Sequence, residues 1–258
     1  MDELTKLAVL LSTFDYIDLS HTIERGMPKC PPHPQIIVDP TIVHEHDGYY
    51  CQTLVMGEHT GTHVDAPAHM ISEMMENTID TYPANALLGP AIKYDMWKLS
   101  QEAGAQITAD QILSLEEQMN DKAGPGDIVL MDFKWEQYWR TDSEWAYFAL
   151  NAPGLAEDAV KLFAERQVKA VGSDTIACDT PAKDGCELKA YGHQVYWLPN
   201  HIFIIEMLKN LSLLPRRCYF IALPLKIWRG SGSPIRPLAL VSKGDQTTAQ
   251  PALNHQKR

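Results

Sequence analysis

Apolar residues along this chain fall into two patterns, a helical spacing of three to four positions and short unbroken runs typical of buried strands. Leu4, Leu7, Leu10 and Leu11 lie on one helical face and predict an amphipathic first helix. Residues 16–19 read as a short strand. Pro28, Pro31, Pro32 and Pro34 then make residues 26–34 a rigid loop. Residues 91–96 predict another strand. Thr108, with Gln111 three positions later, has the form of a capping box that opens a helix. The turn Gly124-Pro125-Gly126-Asp127 leads into the apolar run of residues 128–131, a buried strand. Leu155, Ala159, Leu162 and Phe163 trace one face of a further helix, followed by a strand over 168–171 and late apolar runs at 202–205 and 219–223. This alternation predicts a single α/β domain over residues 1–241. Residues 242–258 are polar and mixed, and are expected to form a disordered tail.

Composition narrows the partners. The chain has 258 residues, 45% hydrophobic and 21% charged, which is ordinary for a globular protein with a substantial core. Its formal net charge of −11 includes no basic run that could meet a phosphate backbone, so nucleic acid is excluded as a partner. No stretch has the length and apolarity of a membrane span. Asp2 and Glu3, with no basic segment beside them, argue against a signal peptide. The five cysteines are odd in number and scattered, without paired spacing, so they are read as free thiols of a cytoplasmic protein.

The densest chemistry is the stretch from His59 to His69, which holds His59, His63, Asp65 and His69. Imidazole nitrogens and a carboxylate oxygen suit zinc, and equally manganese or iron. The spacing is not that of a helical zinc motif, because Gly61, Thr62, Val64 and Pro67 are poor helix formers. On an extended strand His63 and Asp65 project to one side about 6.6 Å apart, whereas His59 and His69 would stand roughly 33 Å apart. The chain must therefore bend. Gly61 and Pro67 are the residues placed to bend it.

At every fixed position His59-x-Gly61-Thr62-His63-x-Asp65-x-Pro67-x-His69 resembles the signature of a cyclase family that includes kynurenine formamidases (arylformamidases) and isatin hydrolases. Asp18-Leu19-Ser20-His21, Gly172-Ser173-Asp174-Thr175 and Leu223-Pro224-Leu225 also resemble family segments, so the likeness runs from about Ile17 to Leu240. The resemblance implies a mixed sheet of swivelling β/β/α type with surrounding helices. It implies a metal-dependent hydrolase that cleaves an amide, lactam or ester bond of a small molecule through metal-activated water. One or two Zn or Mn ions are the implied cofactor. The implied ligands are His59, His63 and Asp65 on one ion and Asp65, His193 and Glu206 on the other, with His69 free of metal as the general acid/base. A homo-oligomer, taken as a homodimer, completes the picture.

Glu206 also stands out without the resemblance, because an ionised carboxylate among isoleucines is costly unless paired or coordinated. His193 matches the family's histidine better than its competitor His201, while Met207 replaces the family's asparagine. His33, His44 and His46 are candidate extra ligands with irregular spacing. Asp174 and Asp179, on either side of Cys178, suggest either a thiol nucleophile or a strand-end turn whose aspartates cap backbone amides. Trp135, Tyr138, Trp139 and Trp145 read as core, with substrate stacking as the alternative. Two family segments are replaced here, a tryptophan–proline–glycine–aspartate segment by Cys30-Pro31-Pro32-His33 and a threonine–glycine–tryptophan segment by Asp132-Phe133-Lys134-Trp135. Both changes spare the metal ligands and widen the substrate class from formyl-anilides to isatin-like lactams and lactones. A lactonase, or a noncatalytic protein keeping its metal for structure, is the alternative function.

Overall fold

The computed structural model describes residues 1–244, so residues 245–258, most of the expected tail, lie outside the described residues. One nine-stranded mixed sheet organises the chain. Its strands in chain order are β1 (Phe14–Asp18), β2 (His63–Asp65), β3 (Leu88–Tyr94), β4 (Ile128–Met131), β5 (Ala170–Ser173), β6 (Phe203–Glu206), β7 (Arg217–Ile221), β8 (Gly232–Pro234) and β9 (Leu238–Ser242). Across the sheet they run β1-β9-β7-β3-β4-β5-β6-β2-β8. The central four, β3 to β6, are parallel, and the flanking pairs are antiparallel. This is the expected mixed α/β architecture in a single domain.

Strand alternation divides the core in two. Val129 and Met131 face the layer containing the long helices, while Ile128 and Leu130 face the opposite cluster with Val64, Phe220 and Ala239. Burial on both faces is what makes 128–131 an unbroken apolar run. The α-helices longer than one turn are α1 (Glu3–Leu11), α2 (Ala109–Met119), α3 (Trp145–Leu150) and α4 (Glu157–Glu165). Helix α2 starts where expected, with Thr108 and Gln111 exchanging both bonds of a capping box. Among the described residues, no helix is long and apolar enough to cross a membrane.

Several boundaries differ from the sequence reading. Leu155 is not on α4. It pairs in a two-residue ladder with Ile107, and its helix-like spacing to Ala159 is coincidental. Helix α1 forms, but none of its residues is buried. The last long run is shifted, with β7 ending at Ile221 and Leu223 exposed beyond it. The hairpin Ile37–Ile42/Cys51–Val55 gave no alternating signal because Cys51–Val55 is exposed along its whole length.

Candidate metal centre

Strand β2 contributes two of the donors. His63 and Asp65 point to one side, and Val64 between them points into the opposite core. β2 is paired on both edges, with Glu206 of β6 directly across from His63 and Gly232 of β8 across from Asp65. Opposed residues of an antiparallel pair share a face, so Glu206 reaches His63 directly. The pair lies at the carboxyl end of β6, where ligand sites of α/β sheets gather.

The remaining histidines arrive through bends. Gly61, at φ +61°, turns the chain ahead of β2, and Pro67–His69 forms a single 3₁₀ turn behind it. The rings of His59 and His69 thereby come to 3.8 Å between centroids. Gly232 leaves room for the His59 ring, since a Cβ there would lie 2.6 Å from His59 Cε1. His193 comes from a π-helical segment, Gly192–Tyr196, a form common at functional sites.

Hydrogen bonding fixes which nitrogen of each ring faces inward. His63 Nδ1 donates to the Gly61 carbonyl at 2.6 Å, so Nε2 presents a lone pair. That lone pair faces Asp65 Oδ1 at 3.4 Å and Glu206 Oε2 at 3.3 Å. His193 Nδ1 donates to Asp179 Oδ1 at 2.8 Å, turning Nε2 toward Asp65 Oδ2 at 3.2 Å and Glu206 Oε1 at 3.4 Å. His59 Nε2 meets Ser231 Oγ at 2.8 Å, and the serine's own proton goes to Glu58 Oε2 at 2.6 Å. The His59 donor is thus spent outward, and Nδ1 faces Asp65 Oδ1 at 2.6 Å.

Three imidazole lone pairs therefore converge on two carboxylates. Glu206 Oε1 is buried with no donor, although His193 Nε2 is close, because acceptor faces acceptor. Acceptors facing acceptors require a shared cation, a proton in the metal-free chain or a divalent metal when one is bound, and this set of nitrogen and oxygen donors fits such a metal. The electrostatics show the same demand. Burial alone would depress His63, but the hydrogen bond to Glu206 and the charge of Asp65 raise it to about 9. Burial opposes His193 as well, yet Asp179, then Asp65 and Glu206, hold it well above the usual imidazole range. Asp65, despite burial, is driven well below the carboxylate range, first by His59 and then by His193.

The structure thus brings His59, His63, Asp65, His69, His193 and Glu206 together. The donor atoms of His63, Asp65 and Glu206 lie within 4.8 Å of one another, as do those of His59, Asp65 and His69. His69, expected to be free of metal, is therefore as close to Asp65 as a ligand would be. His201 is elsewhere, with Nδ1 against the Tyr82 hydroxyl at 2.8 Å. His44 and His46 sit on an exposed helical turn. His33 lines the same cavity as the cluster, its ring 5.9 Å from that of His59.

The other candidates resolve into structure. Cys178 is buried and its thiol is pushed well above its usual range by burial and by Asp179, so it is no nucleophile. Asp174 caps the turn after β4, accepting from the amides of Phe133, Trp135 and Glu136. Trp135 is core, with Nε1 donating to the Phe148 carbonyl, and Trp139 stacks on His21 at 3.6 Å. All five cysteines are free.

Glu58, Ser231 and the orienting role of Asp179 escaped the sequence reading. The tight Gly230-Ser231-Gly232-Ser233 run was the available signal for Ser231. Asp179 accepts both the backbone N–H of His193 (2.9 Å) and its ring. In Asp179→Asn the amide can satisfy only one of these donors, so metal affinity is expected to fall about 10–100-fold. Competition with a chromogenic chelator measures this, and an unchanged affinity removes the orienting role.

The cluster opens on a cavity of about 370 Å³, the size of a small-molecule site. Its walls include Met70, Ala149, Ile176 and Leu188, together with Cys30 and His33. A histidine–carboxylate cluster at the carboxyl ends of a mixed sheet, opening on a small apolar cavity, describes the cyclase-type α/β proteins. The chain belongs to that family: residues 17–180 match the family model described as Putative cyclase. His193 and Glu206 lie beyond the matched stretch. An isatin hydrolase of Roseibium aggregatum is 33% identical over 226 residues, spanning 81% of this chain and 82% of that protein. A kynurenine formamidase of Salinibacter ruber is 29% identical over 184 residues, spanning 71% and 76%. The solved structure of isatin hydrolase A from Labrenzia aggregata bound to benzyl benzoate superposes with a TM-score of 0.81 at 26% identity, covering 94% of this chain and 100% of that one.

Proposed function

We propose that this protein is a metal-dependent amidohydrolase that opens the C–N bond of a small aromatic amide or lactam. The observation that carries the reading is the inward convergence of the His59, His63 and His193 lone pairs on Asp65 and Glu206. His59, His63, Asp65, His193 and Glu206 would hold the metal, Zn or Mn, as one ion or two. When bound, the metal polarises the carbonyl and lowers the pKa of water. The other steps belong to the chain. Asp179, Ser231 and the Gly61 carbonyl keep the ligand imidazoles in the required tautomers. Burial, then the neighbouring His59 and His193, lower His69 to about 4 against the pull of Asp65. It is therefore neutral at pH 7, the form in which it accepts a proton. His69 takes that proton from the attacking water at a ring nitrogen and returns it to the leaving nitrogen. The apolar walls bind the ring and exclude bulk water.

The relatives named for isatin and kynurenine-derived amides support this class of substrate. A lactone remains the second reading, since an ester shares the same acyl chemistry. We place the enzyme in the cytoplasm as a homo-oligomer, a state that sedimentation measures. A panel of isatin, formyl-anilides and aryl lactones tests the reaction. Chelation is expected to abolish hydrolysis, and Zn²⁺ or Mn²⁺ to restore it. Full activity in exhaustively demetallated protein overturns the proposal.

A further inference from the structure

Lys29 is a buried lysine without an acidic partner among the described residues, exposed to only 7%. Its three ammonium hydrogens are matched by three carbonyl oxygens of the loop that follows it. Nζ donates to Pro31 at 2.8 Å and to His33 at 2.7 Å, with Cys30 at 3.5 Å. The ammonium also sits 5.3 Å from the ring centroid of Trp145, the first residue of α3. Burying an ammonium is costly unless its hydrogen bonds are satisfied, and the loop carbonyls satisfy them. The exchange works in both directions, because Pro31 and Pro32 carry no N–H and cannot tie the loop down by backbone bonds. The loop is no part of a strand or helix, so the ammonium anchors it beside three lesser ties: the His33 N–H to the Cys30 carbonyl at 2.9 Å, the His33 ring to the His59 backbone, and Cys30 against the core.

The side chains set by this anchor are Cys30 and His33, both of which line the cavity, as does Ala149 of α3. We infer that Lys29 is a positioning residue for substrate: its ammonium clamps residues 30–33 against α3 as a fixed wall of the cavity, and that wall sets substrate affinity rather than the rate of bond cleavage. Lys29 touches neither the metal donors nor the reacting atoms. The kinetic consequence rests on the amidohydrolase reading, whereas the clamp itself can be read without turnover.

Lys29→Met keeps the apolar stem and removes all three donors. It is expected to raise KM about tenfold or more with kcat within about twofold, the signature of lost binding that is uniform along the reaction. Metal content should match the wild type. In Lys29→Ala, n-propylammonium replaces the deleted fragment and should restore KM; tetramethylammonium, which has no N–H, should not. Independently of activity, maleimide labelling of Cys30 is followed by peptide mass in a Cys51→Ser/Cys186→Ser background, where the two exposed thiols are gone. Labelling should run about tenfold faster with Met at position 29, because the released loop opens locally. Unchanged KM together with unchanged labelling overturns the inference. So does failure of both variants to fold, which would make Lys29 a requirement of the core. If the wild type hydrolyses nothing in the panel, the amidohydrolase reading falls, and the labelling rate still decides the clamp.

Discussion

His63→Ala is expected to lose bound metal and hydrolysis together. His63 Nε2 faces both Asp65 and Glu206, and its removal leaves the two carboxylates without the imidazole between them. A metal that binds only the folded protein stabilises it by about 2.7 kcal/mol at a hundred times its Kd. Added Zn²⁺ or Mn²⁺ should therefore raise the Tm of the wild type and leave that of His63→Ala unmoved. His193→Ala should behave in the same way, through Asp65 and Glu206. His201→Ala should keep full metal content, since its ring is occupied with Tyr82. Elemental analysis checks all three. Metal lost from His201→Ala but kept in His193→Ala would reverse the assignment of the second-half ligand.

Legibility in the sequence followed the range of the interactions. His59 to His69 could be picked out because the donors lie within one short segment, and the need for a bend followed from strand geometry alone. Glu206 was visible from its apolar neighbours. The preference for His193 over His201 came only from the family resemblance, because neither residue has a local pattern that marks a ligand. Ser231 meets His59 across 172 positions of sequence, and no periodicity reports such a contact. Asp179 was noticed and read as a cap, which is half of its role; the ring it orients lies 14 residues on, in a π-helical turn without a sequence signature. Within the fold, buried strands such as 128–131 were plain, while the three-residue strands β2 and β8 are shorter than any hydrophobic period can reveal.

His69→Ala separates proton transfer from metal binding, and its expected outcome is a fall in kcat of about 10²–10⁴-fold with metal retained. His69 lies on the turn that leaves β2 rather than on the strand, and its ring sits against that of His59, tilted by 31°, and lines the cavity. No hydrogen bond among the described residues spends either of its nitrogens outward, in contrast to His59, His63 and His193. A ring left free in this way can carry a proton, and burial keeps it neutral at the pH where it must accept one. The competing arrangement is also written in the geometry, since the donor atoms of His59, Asp65 and His69 lie within 4.8 Å of one another. Metal stoichiometry measured beside turnover distinguishes the two. If His69→Ala comes out short of one metal equivalent, His69 is a ligand, and the proton must be carried by another group lining the cavity, of which His33 is the nearest imidazole without a place in the cluster.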